Sequence, residues 1–211
     1  MVISIVDHEV QAYSHDFYDV NLNNDSILTL VTHTPSMVDS WISDIERIHR
    51  RRLHRLIVGL DIEWRPNFGP YRNRVATLQL CVGHRCLIFQ LICAPAIPHS
   101  LLDFLGSDSY TFAGVGIQKD VEKLQMDYDL DVANAVDLAH LAAHELGSWN
   151  LRNAGLKGLA WEVLGIEIDK PIWVTLSRWD NQCLAYDQVQ YACIDAFLSF
   201  EIGRHLNASN Y

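Results

Sequence analysis

Residues 56–64 read Leu-Ile-Val-Gly-Leu-Asp-Ile-Glu-Trp, an apolar strand-like run into which two acids are set. Strand side chains alternate between faces, so Asp61 and Glu63 project from the same one. Two ionised carboxylates a strand step apart repel each other and lose hydration on burial, so the arrangement is stable mainly when a cation neutralises both. Hard oxygen ligands of this kind suit magnesium or manganese. For an isolated Asp-x-Glu, the alternative is a half-exposed strand end where both acids meet solvent.

The flanking sequence predicts a mixed α/β domain around that strand. Tyr18, Val20 and Leu22 alternate with Asp19 and Asn21, and Asn23-Asn24-Asp25 turns the chain into the apolar run Ile27 to Val31, which reads as a hairpin. Thr34-Pro35 then supplies an N-cap and a first-turn proline for a helix of about four turns, carrying Val38, Trp41, Ile42, Ile45 and Ile48 at helical spacing. Runs 56–64, 75–82 and 86–91 form a meander, the last two joined at Gly83-His84, and a short strand is expected over 110–115. Helices are expected near 98–105, from about Lys119, over 134–146, over the stripe from Leu156 to Leu164 that stops at Gly165, and from about Tyr186 to His205. Helices on both faces of a mixed, largely antiparallel sheet result. No repeat, low-complexity tract or Pro/Gly/Ser linker interrupts the 211 residues, so one domain spanning 1–211 is expected.

Composition narrows the function classes. With 49% apolar residues the chain can build a full core, and its longest apolar stretch, Cys86 to Ile97, is broken by Gln90 and Pro95. That stretch is well short of the roughly 20 residues a membrane helix needs, and MVISIVDHEV has no basic n-region, so neither a membrane partner nor a secretory signal is expected. The expected compartment is the cytoplasm, with the nucleus second. Five cysteines, Cys81, Cys86, Cys93, Cys183 and Cys193, form no CxxC pair and read as reduced packing residues. Sixteen basic against 26 acidic residues give a net charge of −10, which opposes sequence-independent adhesion to nucleic acid over the whole surface. Any phosphate contact must be local, and eight of the sixteen basic residues do fall between positions 47 and 74.

Further acids complete a pattern. Tyr191 and Asp195, four apart in a helical context, share a helix face, and Asp120 follows Gly114-Val115-Gly116 at a strand-to-helix junction. Taken singly, these are equally a core tyrosine beside a surface acid and an acid favoured by a helix dipole. Trp64 either packs in the core or stacks on a base, and Arg65, Arg72 and Arg74 either guide a phosphate backbone towards the acids or are solvated loop charges. His140 and His144 stand at zinc-pair spacing but have no third ligand and no HExxH order, so surface or core histidines are expected there.

Together, Asp-x-Glu in a strand, a central Asp and Tyr-x-x-x-Asp near the carboxyl end resemble the DEDDy subgroup of 3′-to-5′ exonucleases. The segments Asp61-Ile62-Glu63-Trp64-Arg65-Pro66, Val75-Ala76-Thr77-Leu78-Gln79-Leu80-Cys81, Ala113-Gly114-Val115-Gly116-Ile117, Leu156-Lys157-Gly158-Leu159 and Tyr191-Ala192-Cys193-Ile194-Asp195-Ala196 are similar to the Werner-syndrome exonuclease domain over about residues 20–207. Small single-domain plant members, including RISC-interacting clearing exoribonucleases, have the same overall build.

The resemblance implies an RNase-H-like (DnaQ-like) exonuclease fold. It also implies a metal-dependent hydrolase that removes nucleoside 5′-monophosphates from a free 3′ end. Asp61, Glu63, Asp120 and Asp195 would hold two Mg²⁺ or Mn²⁺ ions roughly 4 Å apart, and Tyr191 would orient the attacking water. Position 190 is Gln and no HxxxxD leads into Asp195, so the histidine-using sister subgroup does not fit. The expected partner is single-stranded nucleic acid, RNA slightly ahead of DNA because the plant relatives include exoribonucleases. A homo-oligomer is also expected, on the pattern of relatives that form hexameric rings. The competing reading is a catalytically silent, exonuclease-like scaffold or nucleic-acid-binding subunit.

Overall fold

A computed structural model describes residues 2–10, 12–66 and 72–211. The strands are β1 (Ile3–Asp7), β2 (His15–Leu22), β3 (Asp25–Thr32), β4 (Leu56–Glu63), β5 (Thr77–Val82), β6 (Arg85–Phe89), β7 (Tyr110–Gly114) and β8 (Ala135–Asp137). They form one mixed sheet in the order β1-β2-β3-β6-β5-β4-β7-β8. The helices are α1 (Pro35–His49), α2 (His99–Leu105), α3 (Ile117–Tyr128), α4 (Leu138–Glu145), α5 (Leu156–Leu164), α6 (Ile172–Thr175) and α7 (Tyr186–His205).

The meander β4-β5-β6 is antiparallel, whereas β4 pairs in parallel with β7, β7 with β8, and β3 with β6. Consequently β4 lies inside the sheet with both edges paired, as its nearly unbroken apolar sequence requires. Val58 pairs with Phe112 and Gly59 with Ala113, so each pair shares a face. On the Phe112 face, the Phe104 ring of α2 bridges to Phe112, Tyr110 and Trp41 of α1. On the other face lies α7, which crosses β4, β5, β6 and β7 and is backed by α5.

Two glycines permit that second layer. A Cβ on Gly59 would lie 2.0 Å from the Ala196 carbonyl oxygen and 2.6 Å from the Phe200 nitrogen, and one on Gly203 would lie 3.0 Å from the Ala113 Cβ. The helix backbone therefore rests directly on the strand where the acids begin, a use of glycine that a strand interior otherwise disfavours.

Several sequence expectations are corrected. The helix expected over 134–146 begins only at Leu138, because 135–137 form β8, and Asp137 instead caps α4 by accepting from the Ala139 and His140 amides at 2.9 and 3.1 Å. A three-residue edge strand is too short to show alternation. Strand β1 was not expected, its alternation being blurred by Val6. Thr34 precedes α1 in extended conformation, but its side chain makes no capping bond. The third helix starts at Ile117, two residues before Lys119, because Gly116 at φ 71° turns the chain sharply out of β7. Cys81, Cys86 and Cys193 are buried as expected, Cys93 is partly buried, and Cys183 is exposed rather than packed in the interior.

Candidate active site

Asp61 and Glu63 leave the C-terminal end of β4 on the Gly59 face, against α7. Asp195 lies on α7 one residue before Ala196, the residue whose carbonyl oxygen fills the space left open at Gly59. One carboxylate oxygen from each of Asp61, Glu63 and Asp195 falls within a sphere of contacts no longer than 4.8 Å. Glu63 and Asp195 are 9% and 4% exposed, while Asp61 keeps a partial opening to solvent.

Burial raises the pKa of all three carboxyls, and the charges of Asp195 and Asp120 push Asp61 up further. Asp120, in the first turn of α3, stands outside the 4.8 Å group. Its charge still reaches Asp61 and Glu63, and burial lifts its own pKa to about 7, against the opposing charge of Lys119.

The three clustered acids have a cation beside them. Lys170, in the segment between α5 and α6, places Nζ 2.5 Å from Asp195 Oδ2 and 4.9 Å from the centre of the Tyr191 ring, and its charge also reaches Asp61 and Glu63. The surrounding carboxylates hold it well above the ordinary lysine pKa despite burial. Three clustered carboxylates facing one ammonium leave a deficit of positive charge. The all-oxygen donor set therefore fits a hard divalent cation, with Asp61, Glu63 and Asp195 as ligands and Asp120 at the margin.

Tyr191 is one turn before Asp195 on the same side of α7. Its hydroxyl accepts a hydrogen bond from Thr175 Oγ1 at 3.1 Å, and its ring leans on the fully buried Trp179 at 6.1 Å. Trp179 is fixed in turn by donation from Nε1 to the Thr175 carbonyl at 3.3 Å. Burial and the Asp195 charge raise the phenol pKa, so the group stays protonated at neutral pH. Lys170 and Thr175 gave no periodic signal in the sequence, whereas a glycine inside an apolar strand, as at Gly59, marks a possible close backbone approach.

Arg65, Arg72 and Arg74 have partners outside the carboxylate cluster. Arg65 Nη1 is 3.4 Å from Asp180 Oδ2. Arg72 Nη2 approaches Asp127 Oδ1 at 3.8 Å, and Arg74 donates to the Asp127 carbonyl while its guanidinium lies 4.0 Å from the centre of the Tyr128 ring. The latter two thus tie residues 72–76 to the far end of α3, roughly 10 Å along that helix from Asp120. Trp64 is half-buried against the core, with Lys123 Nζ 5.2 Å from its ring centre. His140 is exposed, and His144 pairs with Glu145 at 2.9 Å.

The family model described as 3'-5' exonuclease matches residues 32–209. This chain belongs to the 3′-5′ exonuclease family. It is 36% identical over 155 residues to the mouse bifunctional 3'-5' exonuclease/ATP-dependent helicase WRN, covering 71% of this chain and 11% of that protein. It is 35% identical over 147 residues to an Arabidopsis thaliana 3'-5' exonuclease, covering 69% and 50% of the two chains. It is also 34% identical over 188 residues to the human exonuclease 3'-5' domain-containing protein 2, covering 85% and 30%. The chain thus spans half or less of the length of these relatives.

Among solved structures, the exonuclease domain of EXD2 soaked in Mg is 27% identical with a TM-score of 0.50, covering 84% of this chain and 88% of that one. The Aedes aegypti Nibbler EXO domain, 18% identical, superposes with a TM-score of 0.68 over 85% and 87% of the two chains. The fold is RNase-H-like, and the expected resemblance to Werner-type exonuclease domains holds.

Proposed function

We propose that this exonuclease-family enzyme is a divalent-metal-dependent 3′-to-5′ exonuclease. It hydrolyses single-stranded nucleic acid from a free 3′ end and releases nucleoside 5′-monophosphates, with RNA slightly preferred to DNA. The observation that carries the reading is the convergence of Asp61, Glu63 and Asp195 within 4.8 Å at the β4–α7 contact. That group carries more negative charge than the Lys170 ammonium cancels, and Asp120, whose charge reaches Asp61 and Glu63, is the acid proposed to serve a second ion. When bound, two Mg²⁺ or Mn²⁺ ions supply a lowered water pKa and charge neutralisation at the scissile phosphate.

The chain's own residues do the rest. Asp61, Glu63, Asp120 and Asp195 would hold and orient the ions. Tyr191, protonated and pinned by Thr175 and Trp179, is built to hold a water by hydrogen bonding, since a phenol with a raised pKa is a poor base. Trp64 offers part of its ring for stacking beside the acids, worth about 1–3 kcal/mol per base. Arg65, two residues beyond Glu63, is the nearest in sequence of the proposed backbone contacts, with Arg72 and Arg74 held against the far end of α3. An assembly of several copies in a ring would extend the basic path that one acidic subunit lacks.

The test is digestion of matched 5′-labelled RNA and DNA strands with Mg²⁺, analysed for ladders shortened from the 3′ end and for 5′-monophosphate products. Shortening of RNA ahead of DNA, lost in EDTA and in Asp195→Asn, is the expected result. Binding without shortening would favour a silent scaffold, and faster loss of DNA would reverse the substrate order.

A further inference from the structure

Lys170 occupies the place where the carboxylates most need positive charge. Its Nζ lies 2.5 Å from Asp195 Oδ2, yet its side chain is 27% exposed against 5% for Asp195. The ammonium therefore enters the cluster from the solvent side. It does so along a cavity of 240 Å³ bordered by Ile168, Pro171, Trp173, Val174 and Tyr191, which gives it room to withdraw. Without a cation, three acids brought together by the β4–α7 contact would force that contact apart or take up protons. With Lys170 in place, the layer can close before any metal arrives. An ammonium and a divalent ion drawn to the same carboxylate compete for its charge and repel each other across it.

We propose that Lys170 is a positioning residue that serves as an intramolecular placeholder for the metal: it holds the β4–α7 carboxylates together in the metal-free protein, and metal binding displaces its ammonium from Asp195. The inference rests on the metal-dependent reading of the site and deepens it. It makes metal affinity a competition, so Lys170 limits how tightly the first ion is held while securing the fold in its absence.

Mn²⁺ binding to the purified full chain, followed by electron paramagnetic resonance, separates this role from a merely structural one. Lys170→Met is expected to bind Mn²⁺ about ten-fold more tightly than wild type, because a competing charge is gone. Lys170→Arg should leave the affinity unchanged. A structural lysine would give the opposite sign, with the loosened variant binding metal more weakly.

A second measurement needs no variant. Acetylation of the wild-type protein, mapped by mass spectrometry, should modify Lys170 faster in Mg²⁺ than in EDTA, with exposed Lys157 and buried Lys123 as unchanged internal references. Unchanged or weaker Mn²⁺ binding by folded Lys170→Met overturns the proposal. So does an acetylation rate at Lys170 that Mg²⁺ leaves alone, which decides the matter if the methionine variant does not fold. Wild-type protein that binds no Mn²⁺ at all would overturn the metal reading itself, a result distinguishable from failure of the placeholder alone.

Discussion

Two lysine–aspartate pairs are drawn into the interior of this protein, and they behave in opposite ways. Lys123 Nζ and Asp127 Oδ2 lie 2.8 Å apart on α3, with both side chains 9% exposed. Around them the accounts balance: Asp127 also accepts from the Val75 amide at 2.9 Å and faces Arg72, while Lys123 donates to the Asn73 carbonyl at 2.7 Å. The ammonium and hydrogen bonds outweigh burial and hold the Asp127 carboxyl below its ordinary pKa. At Lys170 and Asp195 a comparable contact is set among two more carboxylates, and burial wins, with Asp61, Glu63 and Asp195 all raised. A buried ion pair whose charges cancel fastens a loop; one left short of positive charge is prepared for a ligand.

The largest effect comes from breaking each pair at its acid. Asp195→Ala, or Asp61→Ala, is expected to abolish nuclease activity and metal binding while leaving metal-free stability unchanged or higher, since repulsion is relieved along with the ligand. Asp127→Ala should do the reverse. Stranding buried Lys123 costs about 3–5 kcal/mol of stability, read by urea unfolding, with activity per folded molecule retained.

Gly59→Ala sharpens the comparison at the backbone. Its methyl group would overlap the Ala196 carbonyl, so α7 must move off β4, lowering stability by about 1–3 kcal/mol or more and weakening metal binding without touching a ligand. Normal stability and affinity in this variant would show that the close approach does not set the site.

The pairs should also separate in pH. A carboxyl whose folded pKa exceeds its unfolded value binds more protons folded than unfolded. The contribution of Asp120 is therefore present below about 3.8 and is lost as pH rises through about 7, with Asp61, Glu63 and Asp195 acting in the same direction. Asp127, held low, contributes above its unfolded pKa and loses that contribution as pH falls through the depressed value. Melting temperatures in EDTA should decline from mildly acidic to neutral pH, and saturating Mg²⁺ should flatten the decline. A decline equally steep in Mg²⁺ would place its source away from the metal ligands.

The smallest expected effects lie at the rim. Tyr191→Phe should lower turnover more than substrate affinity, because only the water-holding hydroxyl is lost. Replacing Arg65 together with Arg74 should reduce the salt dependence of single-strand binding by roughly 0.7 in slope per lost phosphate contact. An unchanged slope would leave Arg65 as a tie to Asp180 and Arg74 as a tie to the end of α3.

How much of this was legible in the sequence depended on whether a residue's role follows a local period. Alternation put Asp61 and Glu63 on one face, helical spacing put Tyr191 over Asp195, and the glycines before Ile117 marked the turn that delivers Asp120. Lys170 obeys no period: it is a single lysine in an irregular segment, and its meaning arises only when α7 is folded against β4. No role was expected of Gly59, whose partner at Ala196 is 137 residues away. Strand β8 was absorbed into the following helix because three residues cannot display a period of two. For Trp64 and the arginines, the sequence offered stacking and phosphate guidance beside packing and solvated charge. The structure shows Trp64 partly packed, Arg65 and Arg72 facing acids and Arg74 held by the Asp127 carbonyl and the Tyr128 ring, while leaving part of each exposed.

The central claim, that the β4–α7 carboxylates and not the α3 pair form a divalent-metal site, is tested most directly by calorimetric titration of Mn²⁺ into wild type, Asp195→Ala and Asp127→Ala at neutral pH. Saturable binding in wild type and in folded Asp127→Ala, with none in Asp195→Ala, is the predicted result. Binding that survives in Asp195→Ala, or disappears in folded Asp127→Ala, would contradict it.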